Sequence, residues 1–172
     1  GTTECVTASC LTPIHKQKEG SIGIPFPDTY YKIVKPGTQE EVPYGEEGEI
    51  CVRGQGMMLG YYQMPEKTAD VIRDGWYFTH DVGYLDEDGY LYLRGRKDSL
   101  IISGGENLYP VQIEDFLRRF DKIKDVAVIG LPDARLGEIA AAIIELKDGV
   151  QCTEDEISAF CRELPRYKRP RR

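Results

Sequence analysis

Over residues 1–94 the apolar positions fall in short runs broken by turn-forming residues, and from Ser99 onward they shift to a mixture of helical spacing and longer apolar runs. In the first half, Tyr30-Tyr31-Lys32-Ile33-Val34 is rich in β-formers and ends at Pro36-Gly37, a type II turn signal, before a second strand near Glu49 to Arg53. Tyr84-Leu85 and Tyr90 to Leu93 flank Asp86-Glu87-Asp88-Gly89, which reads as a hairpin, and a single helix is expected around Glu66 to Arg73. In the second half, Pro110 suits the first turn of a helix whose apolar residues Ile113, Phe116, Leu117 and Phe120 recur at i, i+3, i+4 and i+7. Two apolar runs follow, Val126 to Leu131 and Ile139 to Leu146. Thr153-Glu154-Asp155-Glu156 is then a capping box that opens a helix with Ile157, Phe160, Cys161 and Leu164 on one face. The expected fold class is α+β: a β-rich unit over residues 1–97 and a small α+β unit over 98–172, joined near Asp98 without a long linker.

Between the halves, Gly95-Arg96-Lys97-Asp98 runs straight into Ser99-Leu100-Ile101-Ile102-Ser103-Gly104-Gly105. A charged trio, a short buried strand and a diglycine turn follow one another, and the turn is free to take positive φ or to approach another molecule closely. The order expected is charged joint, strand, glycine turn, helix.

Composition narrows the classes of function. With 41% hydrophobic and 30% charged residues, the 172-residue chain has enough apolar content for one ordinary core or two small ones. The longest apolar run, Ile139 to Ile144, falls far short of the roughly 20 residues of a bilayer crossing. The net charge of -7 argues against general nucleic-acid binding. Arg162 to Arg172 nonetheless holds six basic residues against Glu163 alone, a local positive patch suited to phosphates or to an acidic carrier. The 5 cysteines include no CxxC pair, which fits reduced thiols in a cytoplasmic protein better than a disulfide framework or a zinc site. A GxGxxG reading of Gly54-Gln55-Gly56 fails on spacing, and no phosphate loop of the GxxxxGK[ST] kind occurs. Placing Gly89 at the sixth position of a calcium loop puts Tyr84 and Gly95 where carboxylates are required. His15 and His80 have no matching ligand spacing, and Trp76 and Tyr77 read as packing residues beside Asp81.

Four ordered motifs carry a resemblance that covers nearly the whole chain. Gly1-Thr2-Thr3-Glu4, Gly48-Glu49-Ile50-Cys51-Val52-Arg53-Gly54 with Gly60-Tyr61-Tyr62, Asp74-Gly75-Trp76 with Thr79-His80-Asp81-Val82-Gly83, and Gly95-Arg96-Lys97-Asp98 through Pro110 resemble successive segments of the adenylate-forming enzymes. That superfamily includes acyl-CoA synthetases, luciferases and peptide-synthetase adenylation domains. Gly104-Gly105-Glu106-Asn107-Leu108-Tyr109-Pro110 and the ending Leu164 to Arg171 are most similar to acyl-CoA synthetases of the fatty-acid type. One departure is visible: His80 stands where the family usually has glycine.

The resemblance implies a ligase that joins a carboxylic acid, expected to be a fatty acid, to CoA through acyl-AMP, using ATP and magnesium. It implies that Thr3 contacts ATP phosphates, that Glu4 helps hold Mg2+, and that Asp81 with Arg96 anchors the ribose. It implies further that Asp98 is the hinge of a rotating lid and that Gly104, Gly105 and Glu106 border the CoA tunnel. In the family the phosphate-binding loop and acyl pocket precede the position of Gly1, and the adenylation lysine follows that of Arg172. The chain therefore reads as the C-terminal portion of such a ligase, inactive by itself. Two alternatives stay open: an acyl-AMP ligase that loads a carrier protein, and a non-catalytic nucleotide- or partner-binding module.

Overall fold

The computed structural model describes residues 1–5 and 8–172, which form two compact units, Gly1–Lys97 and Asp98–Arg172. Both units are α+β, with far more strand than helix.

The first unit begins with a 3-10 turn, Thr3–Cys5, and a two-stranded ribbon of β1 (Cys10–Leu11) and β2 (Ile24–Pro25). Its main sheet contains β3 (Thr29–Val34), β4 (Gly48–Gly54), β5 (Ile72–Arg73), β6 (Trp76–Leu85) and β7 (Leu91–Arg96), with helix α1 (Pro65–Val71) preceding β5. Every pairing in it is antiparallel. The long strand β6 lies against β4 on one side, while β5 and β7 share its other side at opposite ends. β4 is buried along Gly48–Val52 because apolar groups cover both of its faces. Ile33, Ile50, Val52, Tyr77, Leu91 and Cys5 pack on one face, and Val34, Cys51 and Phe78 pack on the other. An unbroken buried run marks a central strand, whereas the partly exposed β3 reads as an edge.

Asp86 and Asp88, the residues that invite a calcium-loop reading, are turn and ion-pair groups. Asp86 Oδ1 accepts the N–H groups of Asp88 (3.0 Å) and Tyr90 (2.9 Å), and Lys18 bonds Asp86 and, at 2.7 Å, Asp88.

The second unit is a four-stranded antiparallel sheet in the order β10-β11-β8-β9, formed by β8 (Ile101–Ser103), β9 (Glu106–Leu108), β10 (Ile123–Asp133) and β11 (Gly137–Leu146). Helices α2 (Pro110–Leu117) and α3 (Glu154–Phe160) complete it. Leu108, Ile113 and Leu117 are at most 1% exposed, each contributing roughly 1.5–3 kcal/mol by burial. Phe160 stacks on Phe116, with ring centroids 4.7 Å apart, and this contact fastens α3 to α2.

Several expected boundaries shift. The diglycine leads not directly to a helix but into a second strand, β9, because Ser103 pairs with Glu106 across a two-residue turn. Gly104 and Gly105 both take positive φ, 61° and 88°, as a type I′ hairpin turn requires. α1 stops at Val71, and Ile72–Arg73 form a strand instead of its last residues. α2 ends at Leu117, so Phe120 packs on the core from the turn beyond it.

The capping box forms as read. Thr153 Oγ1 accepts the Glu156 N–H at 3.3 Å, and Glu156 Oε2 accepts the Thr153 N–H at 2.9 Å. Lys122 donates to the other oxygen of Glu156. The Lys122 hydrogen bond, followed by the Thr153 N–H, pulls Glu156 down to about 2 from the usual 4.5. A carboxyl whose folded value is depressed stabilises the fold above its unfolded value, and that contribution is lost as pH falls through the folded one. The second unit is therefore expected to lose melting temperature between pH 4.5 and about 2, and Glu156→Gln to lose less over the same range. Circular-dichroism melts across that range measure the difference, and parallel curves would remove Glu156 from the acid transition.

Candidate functional site

The chemistry-bearing residues of the first unit gather where β6 is irregular. Phe78 pairs with Cys51 and Val82 with Glu49, so β6 spends four residue steps against two on β4. Thr79, His80 and Asp81 take up the excess as a bulge, a device that re-aims side chains at sheet positions. Thr79 is 3% exposed; its hydroxyl donates to Ile50 O at 2.9 Å and accepts the Asp81 N–H at 3.0 Å. His80 takes φ +59°, the left-handed region in which β-carbon crowding disfavours anything but glycine. The histidine thus occupies a backbone shape that glycine adopts at less cost. The cost of this conformation is about 1 kcal/mol. We expect His80→Gly to raise stability by about 0.5–1 kcal/mol in urea denaturation, net of the glycine's greater unfolded-state entropy. A loss of stability instead would show that the imidazole's own contacts outweigh the strain.

Asp81 is cross-strand from Arg96 on β7. Arg96 donates one guanidinium nitrogen to Asp81 Oδ1 at 3.0 Å and to Thr79 O at 3.2 Å. The Asp81 side chain is 21% exposed and that of Arg96 56%, so the pair adds little to stability and works mainly to orient the carboxylate.

Glu4 sits on the 3-10 turn that buried Cys5 pins to the core. The Glu4 carbonyl accepts the Met58 N–H at 2.7 Å, and its carboxylate Oε1 accepts the Tyr61 hydroxyl at 2.9 Å. Burial first, and then the Glu4 carboxylate, raise the Tyr61 phenol; burial and the same charge raise the Tyr77 phenol. Both therefore remain protonated donors at neutral pH. The Arg96 charge acts on Tyr61 in the opposite sense. Thr3 is exposed beside Glu4. Thr2 Oγ1 is buried with no hydrogen-bond partner, and it lines a cavity of about 270 Å³ together with Gly1, Thr79 and Asp81.

Among the sequence candidates, then, Thr3, Glu4, Asp81 and Arg96 all fall in the first unit. Asp98 opens the second unit within a 3-10 turn, Lys97–Ser99, and Gly104, Gly105 and Glu106 form the exposed β8–β9 hairpin tip there. Just before Asp98, Lys97 Nζ donates to Glu49 Oε2 at 2.8 Å, and the Glu49 side chain is 3% exposed. Motif reading gave no role to Thr2, Tyr61 or Thr79. The glycine preceding Tyr61 and the Thr-His-Asp run around Thr79 were visible as motif positions, but a hydroxyl's partner 57 residues away is not.

Among the described residues no group of three His, Cys, Asp or Glu side chains could hold a metal ion by itself. Magnesium is commonly bound through one or two carboxylates plus substrate phosphates, and a single oriented Glu4 carboxylate beside an exposed Thr3 fits that role. No helix among the described residues is long and apolar enough to cross a membrane.

Comparisons with known proteins agree with the geometry. The profile of the AMP-binding enzyme family matches residues 1–62, and that of the AMP-binding enzyme C-terminal domain matches residues 112–172. A long-chain-fatty-acid–CoA ligase of Bacillus subtilis is 44% identical over 157 residues, covering 91% of this chain and 28% of its own length. The mitochondrial medium-chain acyl-CoA ligase ACSF2 of Danio rerio is 43% identical, over 99% of this chain and 29% of its own. The o-succinylbenzoate CoA synthetase (MenE) of Bacillus subtilis, solved with its acyl-adenylate intermediate, superposes with a TM-score of 0.91 at 33% identity over 99% of this chain and 35% of that one. The chain spans less than a third of the length of these two curated relatives. With both of the family's profiles in their order, and the bulge carrying Asp81 opposite Arg96, the chain belongs to the AMP-binding, adenylate-forming enzyme family.

Proposed function

We propose that these residues form part of an AMP-forming acyl-CoA ligase acting on a fatty acid. The observation that carries the reading is Asp81, paired with Arg96 beside a left-handed His80 and a buried Thr79, and lining a cavity together with Thr2. An oriented carboxylate of this kind accepts hydrogen bonds from a vicinal diol, which is the recognisable feature of a ribose.

In this reading a substrate carboxylate oxygen attacks the α-phosphorus of ATP and pyrophosphate leaves. The thiol of CoA then attacks the acyl carbonyl and AMP leaves. Asp81 holds the ribose so that the α-phosphorus stays in place through both steps, an orientation effect. Thr3 offers a hydroxyl to the phosphates, and Glu4 is the residue that would hold magnesium. A bound magnesium supplies positive charge that lowers the cost of bringing anions together. Asp98 serves as the pivot between steps, and the hairpin tip Gly104-Gly105-Glu106, whose two glycines present bare backbone, borders the CoA thiol arm.

Transfer to a carrier protein instead of CoA is favoured by one feature, the exposed Arg162, Arg166, Arg171 and Arg172 at the end of the second unit. Lys168 and Arg169 of the same run are engaged internally, with Gln112 Oε1 and with the Leu164 and Arg162 carbonyls.

The test is ATP–pyrophosphate exchange across a panel of carboxylic acids, followed by thioester assay with CoA and with acyl-carrier protein. The whole polypeptide that contains these residues is expected to exchange and to make acyl-CoA. Residues 1–172 alone are expected not to exchange, and exchange above background by them would overturn that expectation. No exchange by the whole polypeptide with any acid would overturn the ligase reading in favour of a non-catalytic nucleotide-binding module.

A further inference from the structure

Resting on the ligase reading, we infer that Tyr61 is the positioning residue that aims the Glu4 carboxylate at the divalent cation accompanying the nucleotide. The Tyr61 hydroxyl donates to Glu4 Oε1 at 2.9 Å, which fixes the rotation of the carboxyl group and leaves it one oxygen, Oε2, not engaged by that bond. A metal-ligating carboxylate gains affinity when a neighbour pre-sets its orientation, because the cation then does not have to order it.

Three anchors hold the phenol in place. The Tyr61 N–H donates to Thr68 Oγ1 at 2.9 Å, and Thr68 in turn donates to the Met64 carbonyl at 2.9 Å, so the first turn of α1 grips the tyrosine backbone. The Met58 N–H, at 2.7 Å from the Glu4 carbonyl, ties the same loop to the turn that carries Glu4. Tyr77, 5% exposed on β6, interacts with both Tyr61 and Glu4. Glu4 thus receives its orientation from a loop 57 residues further along the chain, fastened at both backbone and side chain.

The probe is Mn2+, followed by electron paramagnetic resonance in the whole polypeptide with a non-reactive ATP analogue bound. Tyr61→Phe removes only the hydroxyl and keeps the ring. We expect it to weaken Mn2+ binding about tenfold, in line with losses of partners that orient metal ligands, while AMP affinity measured without metal stays within twofold. Tyr77→Phe, which leaves the 2.9 Å bond in place, is expected to weaken Mn2+ binding less. An unchanged Mn2+ affinity in Tyr61→Phe, with wild-type protein that binds the ion, would overturn the inference alone. Parallel losses of Mn2+ and AMP affinity would also overturn it, since they would mark Tyr61 as a purely structural residue. Wild-type protein that binds neither Mn2+ nor AMP would remove the ligase reading and this inference with it.

Discussion

Replacing Asp81 by alanine is expected to weaken AMP binding by about a hundredfold while leaving the melting temperature nearly unchanged. The carboxylate is held by Arg96 at 3.0 Å and is 21% exposed, so it is both oriented and accessible. Hydrogen bonds to a charged acceptor are worth about 1.5–3 kcal/mol, and loss of the acceptor for a diol removes about 3 kcal/mol, or two decades in affinity. The fold loses little because Arg96 is 56% exposed and its pairing is screened by water. Asp81→Asn, which keeps one acceptor oxygen and loses the charge, should fall between. Calorimetric titration with AMP and a thermal melt of the same samples decide the matter. Unchanged affinity would take Asp81 out of the nucleotide site, and a collapse of the melting temperature would make its role structural.

Asp98→Pro is expected to separate the two half-reactions of the whole enzyme. Proline fixes φ near −65° and removes an N–H, and an incompatible backbone costs about 3 kcal/mol, or roughly a hundredfold in rate. If the pivot we propose lies at the junction of the two units, one half-reaction should fall by about that factor and the other by much less. Pyrophosphate exchange reports the first half, and single-turnover release of AMP from preformed acyl-AMP reports the second. Equal losses in both would remove Asp98 as the pivot.

What could be read in the sequence was whatever is local. The Thr153–Glu156 box opens α3 because its two hydrogen bonds close within a single turn, and Pro110 opens α2 because the missing N–H costs nothing at a helix start. A glycine turn was legible in Gly104-Gly105, yet neither its type I′ form nor β9 after it was, since three residues are too few to display an alternation. β5 was lost for the same reason, and its two residues were absorbed into the helix before them. The site shows the same divide. Asp81 and Arg96 were paired on motif order, and their antiparallel register supplies the contact. The left-handed backbone at His80 could be raised as a question but not answered, because only the extra residues opposing Ile50 demand it. Tyr61 on Glu4 and Lys97 on Glu49 span 57 and 48 residues, distances over which residue spacing carries no signal and only the folded sheet brings partners together.

The Lys97–Glu49 pair bears on mechanics. Glu49 is buried in the central strand, so pulling Lys97 away would strand a charge in the core at a cost of several kcal/mol. Lys97 is thus a bolted post at the end of the first unit, and if the second unit turns about Asp98 as we propose, the strand that precedes Lys97 has its own anchor in the sheet. In that reading the sheet edge bearing Arg96 would keep its alignment, and a nucleotide held there would ride on a stationary bench.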